Sequence, residues 1–94
     1  MIEVRRIGEG DPFEFEVVVC EGKGETLHHV TMAKATCDRL TGGKHTPEDC
    51  LEAAFRFLLD REPKEAILGR FDVTVIGRYF PEFEQELARY LSHT

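Results

Sequence analysis

The 94-residue sequence predicts an α+β fold, with an N-terminal antiparallel β-hairpin or three-stranded meander followed by three to five helices packed on one face. A change of period supports this prediction. Residues 13–32 have the alternating or continuous apolar pattern of strands, whereas residues 33–61 place their apolar side chains at helical spacing. The length suits a single hydrophobic core, and we therefore expect residues 1–94 to form a single compact α+β domain.

The strand prediction rests on two apolar segments joined by a glycine-rich turn. FEFEVVVCE, residues 13–21, and ETLHHVTM, residues 25–32, flank Gly22-Lys23-Gly24, which predicts an antiparallel hairpin. A two-residue loop at Gly22-Lys23 or at Lys23-Gly24 places the same alternate residues of both strands on one face. That face carries Phe13, Phe15, Val17, Val19, His28, Val30 and Met32. Residues 2–7 are a candidate additional edge strand, although Arg5-Arg6 interrupts their alternation.

The strongest helix prediction covers residues 46–61. Thr46 is a favourable N-cap, and Pro47 suits the first helical position because its missing N–H would have no helical partner there. An apolar stripe then follows at helical spacing. It consists of Leu51, Ala54, Phe55, Leu58 and Leu59.

Shorter helical segments are predicted on both sides of this helix. Residues 33–40 precede the C-cap signal Gly42-Gly43, and Pro63 opens one or two further helical turns that end at Gly69. Pro81 starts a C-terminal helix, because proline disfavours the helical conformation of the residue before it. The apolar face of that helix carries Phe83, Leu87 and Leu91, with Tyr90 beside them.

Residues 71–80 fit two patterns. Phe71, Val73 and Val75 alternate with polar residues as in a strand. Asp72 is also a good N-cap for a helix with apolar residues at helical spacing. We favour the helix and leave the strand open.

Charge and composition exclude several classes of function. The chain has 12 Lys and Arg against 18 Asp and Glu, and its formal net charge of −6 repels nucleic-acid phosphates and anionic membranes. No segment approaches the roughly 20 apolar residues of a membrane span, and a cytoplasmic location without membrane association is expected. Cys20, Cys37 and Cys50 are spaced too widely for a C-x-x-C motif, which favours reduced thiols.

The histidines and cysteines do not predict a catalytic or metal site. His28 and His29 are adjacent in a predicted strand and point to opposite faces, where they cannot bind one ion together. Cys37 and Cys50 lie on or beside apolar helix faces, where a small buried side chain is expected. We therefore predict no catalytic residue, no metal and no cofactor.

Two blocks carry a family resemblance. TPEDCLEAAFRFLLDREPKEAIL and FDVTVIGRYFPEFE, within residues 26–88, resemble a group of short bacterial proteins without an assigned activity. The group shares the pattern TPExxLEAAFRFLLxREPKE…FDxxxIxRYFPEFE. The resemblance implies a small α+β domain from a bacterium, and it implies no catalytic or binding residue.

These observations favour a non-enzymatic protein-interaction or accessory module with a protein partner. Aromatic and arginine side chains are enriched at the energetic centres of protein interfaces, which makes the edge of Arg78, Tyr79, Glu82, Glu86 and Tyr90 the predicted partner surface. One alternative is a ribbon-helix-helix DNA-binding or antitoxin protein, in which the strand HHVTM would precede two helices. A small enzyme of unidentified class is the other. The oligomeric state is left open.

Overall fold

Four strands form one sheet in the computed structural model, which describes residues 1–92. They are β1 (Ile2–Gly8), β2 (Phe13–Cys20), β3 (Glu25–Met32) and β4 (Arg70–Asp72), and they lie in that order across the sheet. The first three strands form an antiparallel meander, and β4 runs parallel to β3. The predicted α+β fold is confirmed, and residues 2–7 join the sheet as an edge strand.

The β2–β3 hairpin has the register that a loop at Gly22-Lys23 requires. Phe15 lies opposite Val30, and Val17 lies opposite His28. Gly22 has a φ of 64°, a backbone conformation that favours glycine. The predicted face is buried apart from the half-buried Phe13, and His28 is only 2% exposed.

Helices cover this buried face, and α2 is the longest of them. They are α1 (Lys34–Thr41), α2 (Pro47–Leu59), α3 (Ile76–Tyr79) and α4 (Phe83–Leu91), with short 3-10 turns at Lys64–Ala66 and Val73–Val75. The Thr46 hydroxyl accepts the Asp49 N–H at 3.0 Å, which confirms the predicted N-cap of α2. Phe57 is also fully buried although it lies outside the predicted stripe, because α4 covers a second side of α2.

Residues 71–80 contain both of the structures that their pattern fits. Arg70–Asp72 forms β4, and Asp72 then caps helical structure that begins at Val73, as the predicted N-cap requires, with its carboxylate accepting the Thr74 N–H at 3.1 Å. Phe71 pairs with Val30, and the His29 N–H donates to the Gly69 carbonyl at 2.8 Å. The parallel ladder to β3 thus decides the conformation of a segment whose own pattern fits either structure.

Among residues 1–92, no helix combines the length and the apolar composition that crossing a bilayer requires.

Candidate functional site

An apolar groove lies beside Tyr79, at the end of the molecule where α2 stops and β4 begins. We call it the Tyr79 groove, and its volume is about 320 Å³. It is lined by Leu58, Glu62, Ala66, Ile67, Leu68, Phe71, Val75, Ile76, Tyr79 and Phe80. The volume is at the lower end of the range of about 300–1,000 Å³ that is typical of ligand pockets.

The groove forms because three local signals end the surrounding helices early. Asp60 is the C-cap of α2, and Pro63 disfavours a helical conformation at Glu62. The 3-10 turn after Pro63 ends at Ile67, whose backbone is extended. Pro81 ends the four-residue α3 in the same way, and Phe80 leaves the helical conformation with a φ of −129°. Side chains that a longer helix would cover therefore remain accessible from one side.

One leucine and one tyrosine side chain make the rim of the groove apolar. Leu68 is 47% exposed and Tyr79 is 68% exposed, whereas the neighbouring Ile67 is 7% exposed. Ile67 and Leu68 are adjacent in an irregular segment and turn in different directions, so that one enters the core and the other faces solvent. The rim is an exposed apolar patch above a buried floor, as is common at binding sites.

A buried histidine supports the rim from below. The His28 Nδ1 lies 2.7 Å from the Leu68 carbonyl oxygen, and its Nε2 lies 2.8 Å from the Thr26 hydroxyl. Because a carbonyl oxygen can only accept, Nδ1 carries a proton, and in the neutral ring Nε2 accepts from Thr26. The sequence predicts that His28 lies on the apolar face of the hairpin among valines. The structure shows that its hydrogen bond to Leu68 also connects β3 to the rim.

Glu62 is the one charged residue among the described residues that line the groove. Its side chain has no hydrogen-bond or ion-pair partner within residues 1–92. Two neighbouring cations are paired, since Lys64 contacts Glu65 at 2.8 Å and Arg61 contacts Glu82 at 3.2 Å. Arg70 and Arg78 are exposed and have no ion pair among the described residues. Glu62, as the one charged lining residue, favours a cation beside an apolar group.

The structure divides the predicted partner edge into two places. Tyr79 lies on the rim of the groove, next to Arg78, which is exposed. Tyr90 lies elsewhere: its ring packs edge-on against Phe57 at 5.9 Å, and its hydroxyl donates to Asp60 at 2.5 Å. Tyr79 and Tyr90 are thus not neighbours on one binding surface of the groove.

The two acidic residues of the predicted edge are both in ion pairs. Glu82 contacts Arg61, and Glu86 contacts Arg89 at 2.7 Å. Arg61 also donates to the Tyr90 hydroxyl at 3.4 Å and lies 3.7 Å above the Phe57 ring. Arg61 therefore joins Glu82 and Tyr90 in a structural cluster, and Glu62 is the acidic residue that lines the groove.

Tyr79 is the one residue of the predicted edge that lines the groove, and the other nine lining residues were not part of that edge. Among those nine, Glu62, Leu68, Phe71 and Val75 supply the charge, the exposed rim leucine and part of the apolar wall. The adjacent apolar pair Ile67-Leu68 before Gly69 was the available signal, because two neighbouring side chains outside a helix seldom enter the same core. The positions of Phe71 and Val75 gave no comparable signal, since they depend on the pairing of β4 with β3.

The thiols lack the features of activated nucleophiles. Cys37 and Cys50 are buried, and burial raises the pKa of the Cys50 thiol to about 12. The Cys20 thiol donates to Glu25 at 3.3 Å, and this hydrogen bond together with partial burial raises its pKa. Raised pKa values keep these thiols protonated, whereas nucleophilic catalysis needs the thiolate.

Two further observations bear on the metal and DNA-binding hypotheses. Within residues 1–92, no group of three or more His, Cys, Asp or Glu side chains is placed to hold a metal ion. β3 contains the segment HHVTM and pairs with β2 on one edge and with β4 on the other. A ribbon-helix-helix protein needs that strand to pair with a second chain, and here both edges are already in use over residues 29–31.

Comparison with protein-family models, with curated proteins and with solved structures found no match for this chain. The resemblance to short bacterial proteins stays a prediction.

Proposed function

We propose that the protein is a non-enzymatic binding module whose Tyr79 groove takes an apolar side chain of a partner protein segment that also carries Lys or Arg. One observation carries this proposal: an apolar groove with exposed rim residues is lined by Glu62, whose side chain has no partner among the described residues. Apolar contact supplies affinity, and Glu62 supplies orientation and selects against acidic segments.

We further propose that the protein is bacterial and cytoplasmic. Three cysteines without a disulfide in the described part of the chain support this location, because small secreted domains usually pair theirs. The resemblance described above supports a bacterial source. The net charge of −6 favours a protein partner over a nucleic acid.

A displayed library of random 12-residue peptides tests the proposal. We expect selection on the wild-type protein to enrich peptides that contain Lys or Arg next to a large apolar residue. Leu68→Ala and Tyr79→Ala should each weaken binding of the selected peptides by about tenfold or more, since each removes a rim contact. Glu62→Gln should weaken peptide binding severalfold and make the peptide affinity less dependent on salt concentration.

Leu27 provides the matched control for Leu68. It is 62% exposed and lies on β3 beside the inward-facing His28, which places it on the uncovered face of the sheet. Leu27→Ala should leave peptide affinity within about twofold of wild type. Peptides that bind all the groove variants as tightly as wild type, or a library without enrichment, would disprove the proposal.

A further inference from the structure

β1 is an edge strand, and its outer edge has no strand partner among residues 1–92. The Cys20 N–H donates to the Met1 carbonyl at 2.8 Å, so Met1 and Cys20 form a hydrogen-bonded pair of the ladder. Such pairs alternate in antiparallel sheets, and the backbone groups of Glu3 and Arg5 therefore also face β2. The backbone groups that point outward belong to Ile2, Val4 and Arg6.

The uncovered face of β1 presents side chains in a self-complementary order. From Met1 to Ile7 the outward side chains are apolar, acidic, basic and apolar. Met1 is 75% exposed and Ile7 is 41% exposed. Glu3 has no partner among the described residues, and Arg5 remains 72% exposed although it pairs with Glu16 of β2.

We propose that β1 pairs with β1 of a second copy of this chain, antiparallel and with the two-fold axis at Val4. In this register Glu3 lies opposite Arg5 of the second copy, and Met1 lies opposite Ile7, where the β1–β2 register shifts and the regular ladder ends. The outward backbone groups of Val4 bond those of Val4 in the second copy, and those of Ile2 bond those of Arg6. The two sheets become one continuous sheet.

Other registers conflict with the charges or shorten the ladder. The outward backbone groups form hydrogen bonds only when each of Ile2, Val4 and Arg6 lies opposite one of the same three residues in the second copy. The two-fold axis can therefore pass through any residue of β1, but not between two residues. An axis at Glu3 places two Glu3 side chains opposite each other, and an axis at Arg5 does the same for Arg5. Like charges directly opposite are destabilising, and an axis at Ile2 or at Arg6 leaves a shorter paired segment.

The second copy would meet a preorganised edge. On the covered face, the Arg6 guanidinium donates two hydrogen bonds to Glu48 of α2, at 2.8 and 2.7 Å, and these hold β1 against the helix. A single strand edge is small for a protein interface, and we expect a dissociation constant on the order of 10–100 μM. The Tyr79 groove adjoins β4, at the other edge of the sheet, so both grooves of the dimer stay accessible.

Sedimentation equilibrium between about 5 μM and 1 mM tests the dimer. The average mass of the wild-type protein should rise from that of one chain toward that of two. Glu3→Arg and Arg5→Glu should each raise the dissociation constant about tenfold or more, because each places like charges opposite. Asp38→Arg changes the net charge as much as Glu3→Arg but lies on the exposed side of α1, and it should behave as wild type.

Mixing the two charge variants separates edge pairing from a general effect of charge. The Glu3→Arg chain presents two cations on β1 and the Arg5→Glu chain presents two carboxylates, so the mixture should associate more tightly than either variant alone. Val4→Pro removes an outward N–H without removing a bond to β2, and it should abolish the dimer while circular dichroism shows a folded chain. A wild-type mass of one chain up to about 1 mM would overturn the proposal. The proposal would also be overturned if both charge variants associated as tightly as wild type. It would equally be overturned if their mixture associated no more tightly than either variant alone.

Discussion

Phe55 and Phe57 leave α2 two residues apart and enter aromatic clusters of different character. Phe55 faces the sheet side, where its ring centre lies 5.3 Å from that of His28 and 6.1 Å from that of Phe71. Phe57 faces the C-terminal helices and contacts Phe83 at 5.1 Å. It also contacts Phe80, Tyr90 and the Arg61 guanidinium.

The two clusters place their polar groups differently. On the sheet side, the polar group is inside: His28 is buried, and its nitrogens bond Thr26 and Leu68. On the helix side, the polar groups are at the surface, where Arg61 bonds the Tyr90 hydroxyl. Both clusters join segments that are distant in sequence, and they differ in what their polar groups require. The sheet side must supply fixed partners for a buried imidazole, whereas the helix side keeps its polar groups at the surface.

The largest expected effect comes from truncating either phenylalanine. Phe55→Ala and Phe57→Ala should each lower the free energy of unfolding by about 3–5 kcal/mol, because both rings are fully buried and a small core refills such a cavity poorly. Chemical denaturation of both variants measures it. A loss below about 1 kcal/mol at one position would mean that its cluster is not a packed part of the core.

An intermediate effect is expected from His28→Leu. Removing the ring nitrogens leaves the Leu68 carbonyl without its donor, and we expect a loss of about 1–3 kcal/mol. Hydrogen exchange should also become faster at the His29 N–H, which bonds Gly69 beside the rim, before it changes in α4. His28→Asn is the matched variant, since its amide N–H can replace Nδ1.

Comparing the two variants distinguishes a local hydrogen bond of His28 from general packing of its ring. If His28 holds the rim through its Nδ1–H, His28→Asn should retain protection of the His29 N–H even though it loses the ring contact with Phe55. Equal loss of protection in both variants would show that the ring acts through packing alone.

The smallest expected effect is that of Tyr90→Phe. The variant loses the hydrogen bonds of the hydroxyl to Asp60 and Arg61 but keeps the ring on Phe57, and we expect a cost of about 0.5–1.5 kcal/mol. Tyr79→Phe is the control, because the Tyr79 hydroxyl has no partner among the described residues and should be removable at no measurable cost. Thermal melts compare the two, and equal losses would contradict the difference drawn between the tyrosines.

The sequence alone was enough for features that depend on neighbouring residues. Thr46 and Pro47 predict the start of α2, and the alternation of residues 13–32 predicts both the hairpin and its buried face. Caps, turns and periodic stripes act over a few residues, and their signals are therefore readable without the rest of the chain. The predicted helix face of Phe83, Leu87 and Leu91 is buried for the same reason.

The candidate site was only partly predictable. Tyr79 and Arg78 lie at the groove, but the sequence grouped them with Tyr90, Glu82 and Glu86, because all five are close along the chain. Their spacing does not show which of these side chains lack a partner in the fold. For Glu82 and Tyr90, the answer depends on Arg61, which contacts both from the end of α2.

Tertiary structure alone decided the conformation of residues 70–72 and, with it, the groove. Phe71 fits a strand or a helix by pattern, and its pairing with Val30, 41 positions earlier in the chain, selects the strand. The same pairing brings the Leu68 carbonyl within hydrogen-bond distance of His28 and places Phe71 in the lining of the groove beside Glu62. Local propensities of a few tenths of a kcal/mol cannot outweigh a ladder of backbone hydrogen bonds and a buried aromatic ring, and these form only when the distant strand is present.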